Sequence, residues 1–149
     1  MRRFPGSRRH PHFAGPALSR SLAGHAIRYL HEPDLGGHRK PSPDSPNTYW
    51  RVEAFRGYAD HMATPAFQAA VARLIESAAA RRTAYLCAEA VPWRCHRQLL
   101  SDALVARGHA VHHILGPGQQ KEHTLTPAAR VAAGAITYPA LGQVSLLDR

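Results

Sequence analysis

A chain of 149 residues is about the size of one domain and long enough to bury a core of its own. Hydrophobic residues make up 44%, which excludes a disordered polymer, and no apolar run approaches the ~20 residues that a membrane span requires. The formal net charge is +9, and the segment before Glu32 carries Arg2, Arg3, Arg8, Arg9, Arg20 and Arg28 with no acid at all. Such an excess attracts anionic small molecules, nucleotides or nucleic acid. A general bias toward Ala, Arg, Gly and Pro explains the same charge without any binding site. Met1-Arg2-Arg3-Phe4-Pro5 has no apolar stretch behind it, unlike a secretory signal. Two cysteines in a domain of this size do not form a disulfide framework. The expectation is a soluble cytoplasmic protein with reduced thiols, no membrane association and a single domain over 1–149.

Residues 1–15, with Pro5, Gly6, Pro11 and Gly15, read as a basic loop. Pro16 to His25 predicts a short helix, with Pro16 in its first turn and Leu18 and Leu22 one turn apart. Ile27 to His31 alternates like a short strand, and 32–46 is a long Pro/Gly loop, a kind of segment that is functional or disordered. A helix is expected over the second half of 47–62. Another starts at Thr64-Pro65, buries Phe67, Val71, Leu74, Ile75 and Ala78, and ends at Arg81-Arg82. Thr83 to Cys87 reads as a strand buried on both faces. A helix from Cys95 to Arg107 follows, burying Leu99, Leu100, Ala103 and Leu104, and then a strand at 110–114. Strand, helix, strand makes a βαβ unit, hence an α/β fold with a parallel-containing sheet flanked by helices in three layers. Beyond it come a Gly/Pro turn at 116–118, a helix start at Thr126-Pro127, a strand at 135–138 and a tail at 140–149.

In such sheets ligands bind where a strand ends and the next helix begins, which here is Cys87 to Arg97. Backbone N–H groups and the positive end of the helix attract anions there, and Arg94 and Arg97 add charge. A thiol in that field deprotonates easily, so Cys87 is a candidate nucleophile, and Glu89 is a candidate general acid or base. Other readings stay open: Cys87 and Cys95 as small packed hydrophobes, and Glu89 as an ion-pair partner of Arg97 or an N-terminal arginine. The phosphate loop of protein phosphatases matches poorly, because six residues separate Cys87 from Arg94 and none is glycine. Cys-x7-Cys is likewise not the spacing of a thiol redox motif. Zinc on Cys87, Cys95 and His96 is not expected, since adjacent ligands are awkward and no further cysteine pair closes a tetrahedron. No metal and no cofactor is therefore anticipated.

Cys87-Ala88-Glu89 followed by Cys95-His96-Arg97 resembles the hallmark of the domain-of-unknown-function family 488. So do Arg2-Arg3-Phe4-Pro5-Gly6-Ser7-Arg8, Tyr29-Leu30-His31 leading to Leu35-Gly36-Gly37, Phe55-Arg56-Gly57-Tyr58-Ala59 and His123-Thr124-Leu125-Thr126-Pro127, in the family's order. The resemblance implies an α/β sandwich with a parallel sheet and no established activity. It implies a site in which Arg2, Ser7, Gly36, Gly37, Arg56, Tyr58 and Arg97 bind the substrate beside Cys87, Glu89 and His96. Against that pattern the chain starts late, so the sheet is expected to be N-terminally incomplete, short of a strand, a helix, a second strand and an aspartate. The resulting expectation is action on a phosphate-bearing small molecule or nucleotide through an Arg-rich pocket at Cys87–Arg97. The alternative is a nucleic-acid-binding protein that uses its Arg-rich N-terminal segment, with Tyr49, Trp50 and Trp93 stacking on bases. The residues alone do not separate an enzyme from a binding protein.

Overall fold

The computed structural model describes residues 4–141. Among these residues four α-helices form, α1 Gly15–Ala23, α2 Glu53–Met62, α3 Pro65–Ala80 and α4 Arg97–Val105, with four short strands, β1 His112–Gly116, β2 Gln119–Glu122, β3 Arg130–Ala132 and β4 Ala135–Thr137. No helix among the described residues is long and apolar enough to cross a membrane.

Local chemistry fixes the start of α3. The Thr64 hydroxyl accepts from the Phe67 N–H at 3.3 Å and Pro65 fills the first helical position of α3, a cap that contributes about 1 kcal/mol. The apolar stripes of α3 and α4 then meet. Phe67, Ala70 and Val71 pack with Leu99, Leu100, Ala103 and Leu104, and α2 adds Tyr58, Ala59 and Met62. Leu35, Val111, Ile136 and Tyr138 complete the core. Each fully buried Leu, Val or Phe contributes about 1.5–3 kcal/mol. Of the residues predicted to line α3, Leu74 and Ile75 are half-buried and Ala78 is exposed.

The long loop is pinned rather than loose. Pro33–Leu35 makes a 3-10 turn, and Leu35, Gly36 and Gly37 are buried. Asp60 on α2 accepts from the Ser42 N–H, the Ser45 hydroxyl and the Asn47 side-chain amide at 2.8, 2.6 and 2.7 Å. Gly57 makes the approach of α2 to this loop possible: a Cβ there would stand 2.2 Å from the Arg39 carbonyl oxygen.

The expected parallel-containing sheet flanked by helices is not what forms. Among the described residues, β1 pairs antiparallel with β2, and β3 pairs antiparallel with β4, in two separate two-stranded sheets. The physical reasons are local. Residues 83–87 belong to no helix and to neither sheet; Thr83, Ala84 and Leu86 are exposed, so this is not a strand covered on both faces. Residues 27–31 likewise lie outside both sheets and every helix, with Ile27 and Leu30 exposed. The segment after α4 takes the nearest partner in the chain. Pro117 and Gly118 (φ +68°) turn it back on itself, as a proline–glycine pair at the centre of a tight turn does. Its partner Gln119-Gln120-Lys121-Glu122 is polar and fully exposed, so it carries no apolar alternation that marks a strand in sequence. The expected helix at Thr126-Pro127 does not form, only a tight turn at 127–128, and the strand at 135–138 is β4, turned by Ala133 (φ 47°) and Gly134 (φ 78°). Residues 142–149, most of the expected tail, lie outside the described residues.

Candidate functional site

The start of α4 is built by a change of backbone direction. Pro92–Arg94 makes a 3-10 turn, Cys95 is extended (φ −139°, ψ 149°), and His96 is already helical (φ −55°, ψ −13°). Neighbouring side chains in a continuous strand point to opposite faces, but this break lets Cys95 and His96 face one another. Nδ1 of His96 stands 3.6 Å from Sγ of Cys95, which also accepts from the Arg97 N–H at 3.5 Å. Cys95 is buried and Cys87 is half-buried. Sγ of both cysteines and a His96 ring nitrogen lie within 4.8 Å of one another.

This packing divides the two thiols electrically. A hydrogen bond from the Cys95 thiol, with further ones from the backbone N–H groups of Glu89 and Ala88, outweighs desolvation and lowers the pKa of Cys87 to about 5. Cys95 moves the other way, because it gives its proton to that bond and is buried. The bond thus favours the thiolate on Cys87 and the thiol, as donor, on Cys95.

Around the sulfurs, Tyr58 sets its ring 4.9 Å from that of His96 at a tilt of 50° and donates its hydroxyl to the Leu35 carbonyl at 3.0 Å. Burial raises the Tyr58 pKa well above the usual phenol, so it remains a neutral donor. Gly37 lies against the imidazole: a Cβ on it would meet Nδ1 at 2.6 Å. Tyr85 meets Ser101 on α4 at 2.7 Å through their hydroxyls, which anchors the segment 83–87 beside the helix. Arg97 donates from Nη2 to the Glu89 carbonyl, and its Nε is buried with no acceptor among the described residues.

The structure brings together Gly37, Tyr58, Cys87, Glu89, Cys95, His96 and Arg97. Three other expected members make hydrogen bonds of their own. Ser7 accepts from the His10 N–H at 3.0 Å and caps a turn in the N-terminal segment. Gly36 offers its carbonyl to Arg39 Nε. Arg56 spends its Nε on the Trp50 carbonyl and lies about 200° around α2 from Tyr58. Arg2 lies outside the described residues. Glu89 is exposed, and Arg97 holds its backbone carbonyl rather than its carboxylate, so the expected ion pair is not made. Of the aromatic residues considered for base stacking, Trp50 stacks on Phe55 at 5.3 Å and meets Tyr49 edge-on, whereas Trp93 is 55% exposed.

A buried polar network on the same helix escaped the sequence reading. Asp102 is fully buried and accepts from the Thr126 N–H at 2.9 Å and the Tyr138 hydroxyl at 2.9 Å, with His123 Nε2 at 2.8 Å. His123 Nδ1 in turn meets His113 Nε2 at 2.9 Å. Its place three residues after Leu99, on the buried stripe of α4, was the available signal. This network clamps the two hairpins to α4. A shallow depression of about 310 Å³, lined by Ala63, Gln68, Arg107, Ala133, Gly134 and Ala135, shares no residue with the cysteine cluster.

The family model described as domain of unknown function DUF488 matches residues 1–104, more than half of the chain and every residue of the cluster. The chain belongs to this family. No curated protein and no solved structure matches it. Membership of the DUF488 family brings no activity with it, so function has to be argued from the site. The matched span stops within α4, after Asp102 but before its partners His123, Thr126 and Tyr138.

Proposed function

We propose that the protein is an enzyme acting on a phosphate-bearing small molecule or nucleotide at the cluster running from Cys87 to Arg97. The observation that carries this reading is the Arg97 Nε, a buried donor on a cation with no acceptor among the described residues, beside two sulfurs and an imidazole. Leaving such a donor unsatisfied costs about 1–3 kcal/mol, which an oxygen of a bound anion removes. Arg97 also sits in the first turn of α4, where the helix dipole favours negative charge. Glu89 is tied to Arg97 through its backbone while its carboxylate is exposed, which suits a general acid or base. Cys87, Cys95 and His96 supply the reacting centre. The cationic part of this site is narrower than an Arg-rich pocket, since Arg56 is engaged elsewhere.

The test is turnover of phosphate monoesters and nucleotides by the wild type and by Glu89→Gln. The expected result is turnover that the substitution abolishes while the melting temperature stays unchanged. Turnover that survives the substitution, with a melting temperature lowered by several degrees, would make Glu89 a structural residue and end the acid–base reading.

A further inference from the structure

We propose that Cys87, Cys95 and His96 bind one Zn²⁺ ion, with a fourth coordination position left for water. The proposal deepens the reading of the same cluster as a reacting centre, but the metal site stands on its own geometry.

Tetrahedral zinc takes sulfur ligands at about 2.3 Å and imidazole nitrogen at about 2.0–2.1 Å, which sets a sulfur and a nitrogen on one ion about 3.6 Å apart and two sulfurs about 3.8 Å apart. The Cys95 Sγ to His96 Nδ1 distance is 3.6 Å, and all three ligand atoms fall within 4.8 Å of one another. The obstacle to ligands adjacent in sequence is removed here by the turn from extended to helical backbone between Cys95 and His96. Only a small closure by half-buried Cys87 completes the three-point face.

The surroundings fit the same ion. The N–H of Arg97 already points at Cys95 Sγ, the kind of outer hydrogen bond that orients a thiolate ligand. Gly37 keeps open the space at Nδ1 that any side chain would fill. Two thiolates neutralise the charge of Zn²⁺, so the positive charge of Arg97 is left over for an anion.

The ligand count separates a catalytic from a structural role. Structural zinc is closed by four protein ligands, whereas catalytic zinc keeps three and a water. Among the described residues the group contains Cys87, Cys95 and His96 and no fourth histidine, cysteine or carboxylate. Glu89, two residues after the first ligand and not one itself, has the relation that a non-ligating glutamate has to the Cys₂His zinc of nucleobase deaminases, where it moves the proton of the bound water. The ligand class is therefore a borderline-soft divalent ion in a hydrolytic setting.

The experiment strips the full chain with chelator, keeps it reduced with a phosphine and titrates it with Co²⁺ and then Zn²⁺. One equivalent of Co²⁺ should give a sulfur-to-cobalt charge-transfer band with tetrahedral visible absorption, and one equivalent of Zn²⁺ should erase both. Cys87→Ser and His96→Gln should each weaken Zn²⁺ binding by about 100-fold or more, beyond the 10–100-fold typical of outer-shell changes. Circular dichroism of each metal-free variant checks that it folds. Absence of a charge-transfer band, or equal zinc affinity in folded Cys87→Ser, would overturn the proposal. Phosphate binding by the metal-free protein, measured separately, decides the anion reading on its own.

Discussion

The place where a Cβ of residue 37 would stand lies 2.6 Å from Nδ1 of His96, so Gly37 and His96 form a contact that no side chain at 37 permits. The imidazole cannot simply retreat, because Tyr58 packs against its ring at 4.9 Å and Cys95 lies at its Nδ1. Gly37→Ala should therefore cost about 1–3 kcal/mol in urea denaturation, as overpacking does, and should impair metal and anion binding together. A variant as stable as the wild type would mean that the ring has room to move and is not held in place.

The thiol pair makes a prediction in pH. For chelator-treated protein, the rate of Cys87 alkylation by iodoacetamide should rise with pH to a plateau with a midpoint near 5, because the Cys95 thiol and the Glu89 and Ala88 amides stabilise its thiolate. Cys95, buried and with its pKa raised, should remain unmodified throughout. Mass spectrometry of the two peptides distinguishes them. A Cys87 midpoint near the ordinary value of about 8.5 would show that the hydrogen bonds do not act as the geometry implies.

A different cost attaches to Asp102. Its removal in Asp102→Ala strands the Thr126 N–H, the Tyr138 hydroxyl and His123 in a dry interior. Losing a buried, multiply bonded carboxylate costs about 3–5 kcal/mol, a large share of a total stability of about 5–15 kcal/mol. Equilibrium denaturation should reveal it, and a loss under about 1 kcal/mol would mean that the hairpins are held by packing alone.

How far the sequence could be read depended on which signals were local. The helices were legible because apolar spacing, the Thr64-Pro65 start and the Leu99-Leu100-Ala103-Leu104 stripe are properties of single segments. The sheet was not. Residues 83–87 have the composition of a buried strand, but burial depends on neighbours, and here Leu86 is 47% exposed. The β1–β2 hairpin was missed because β2 is wholly polar and its pairing rests on the turn at Pro117-Gly118 rather than on an apolar pattern.

At the site the segment was legible but the partnerships were not. Cys87, Cys95, His96 and Arg97 stood out by residue type near a helix start. That the Cys95 thiol donates a hydrogen bond to the Cys87 sulfur, and that Arg97 reaches the Glu89 carbonyl and not its carboxylate, follows from backbone angles that composition does not carry. Arg56 illustrates the converse: a charged residue two positions from Tyr58 that the helical turn directs elsewhere.

The most direct test of the central claim, an anion site at Arg97, is a thermal melt of the wild type and Arg97→Ala with inorganic phosphate, nucleotides and short oligonucleotides. At about tenfold excess over Kd, phosphate or a nucleotide should raise the wild-type melting temperature by an amount on the order of 3–6 °C. Arg97→Ala, melting cooperatively by itself, should show no rise. A shift confined to oligonucleotides and erased by salt, or one that Arg97→Ala retains in full, would contradict the account.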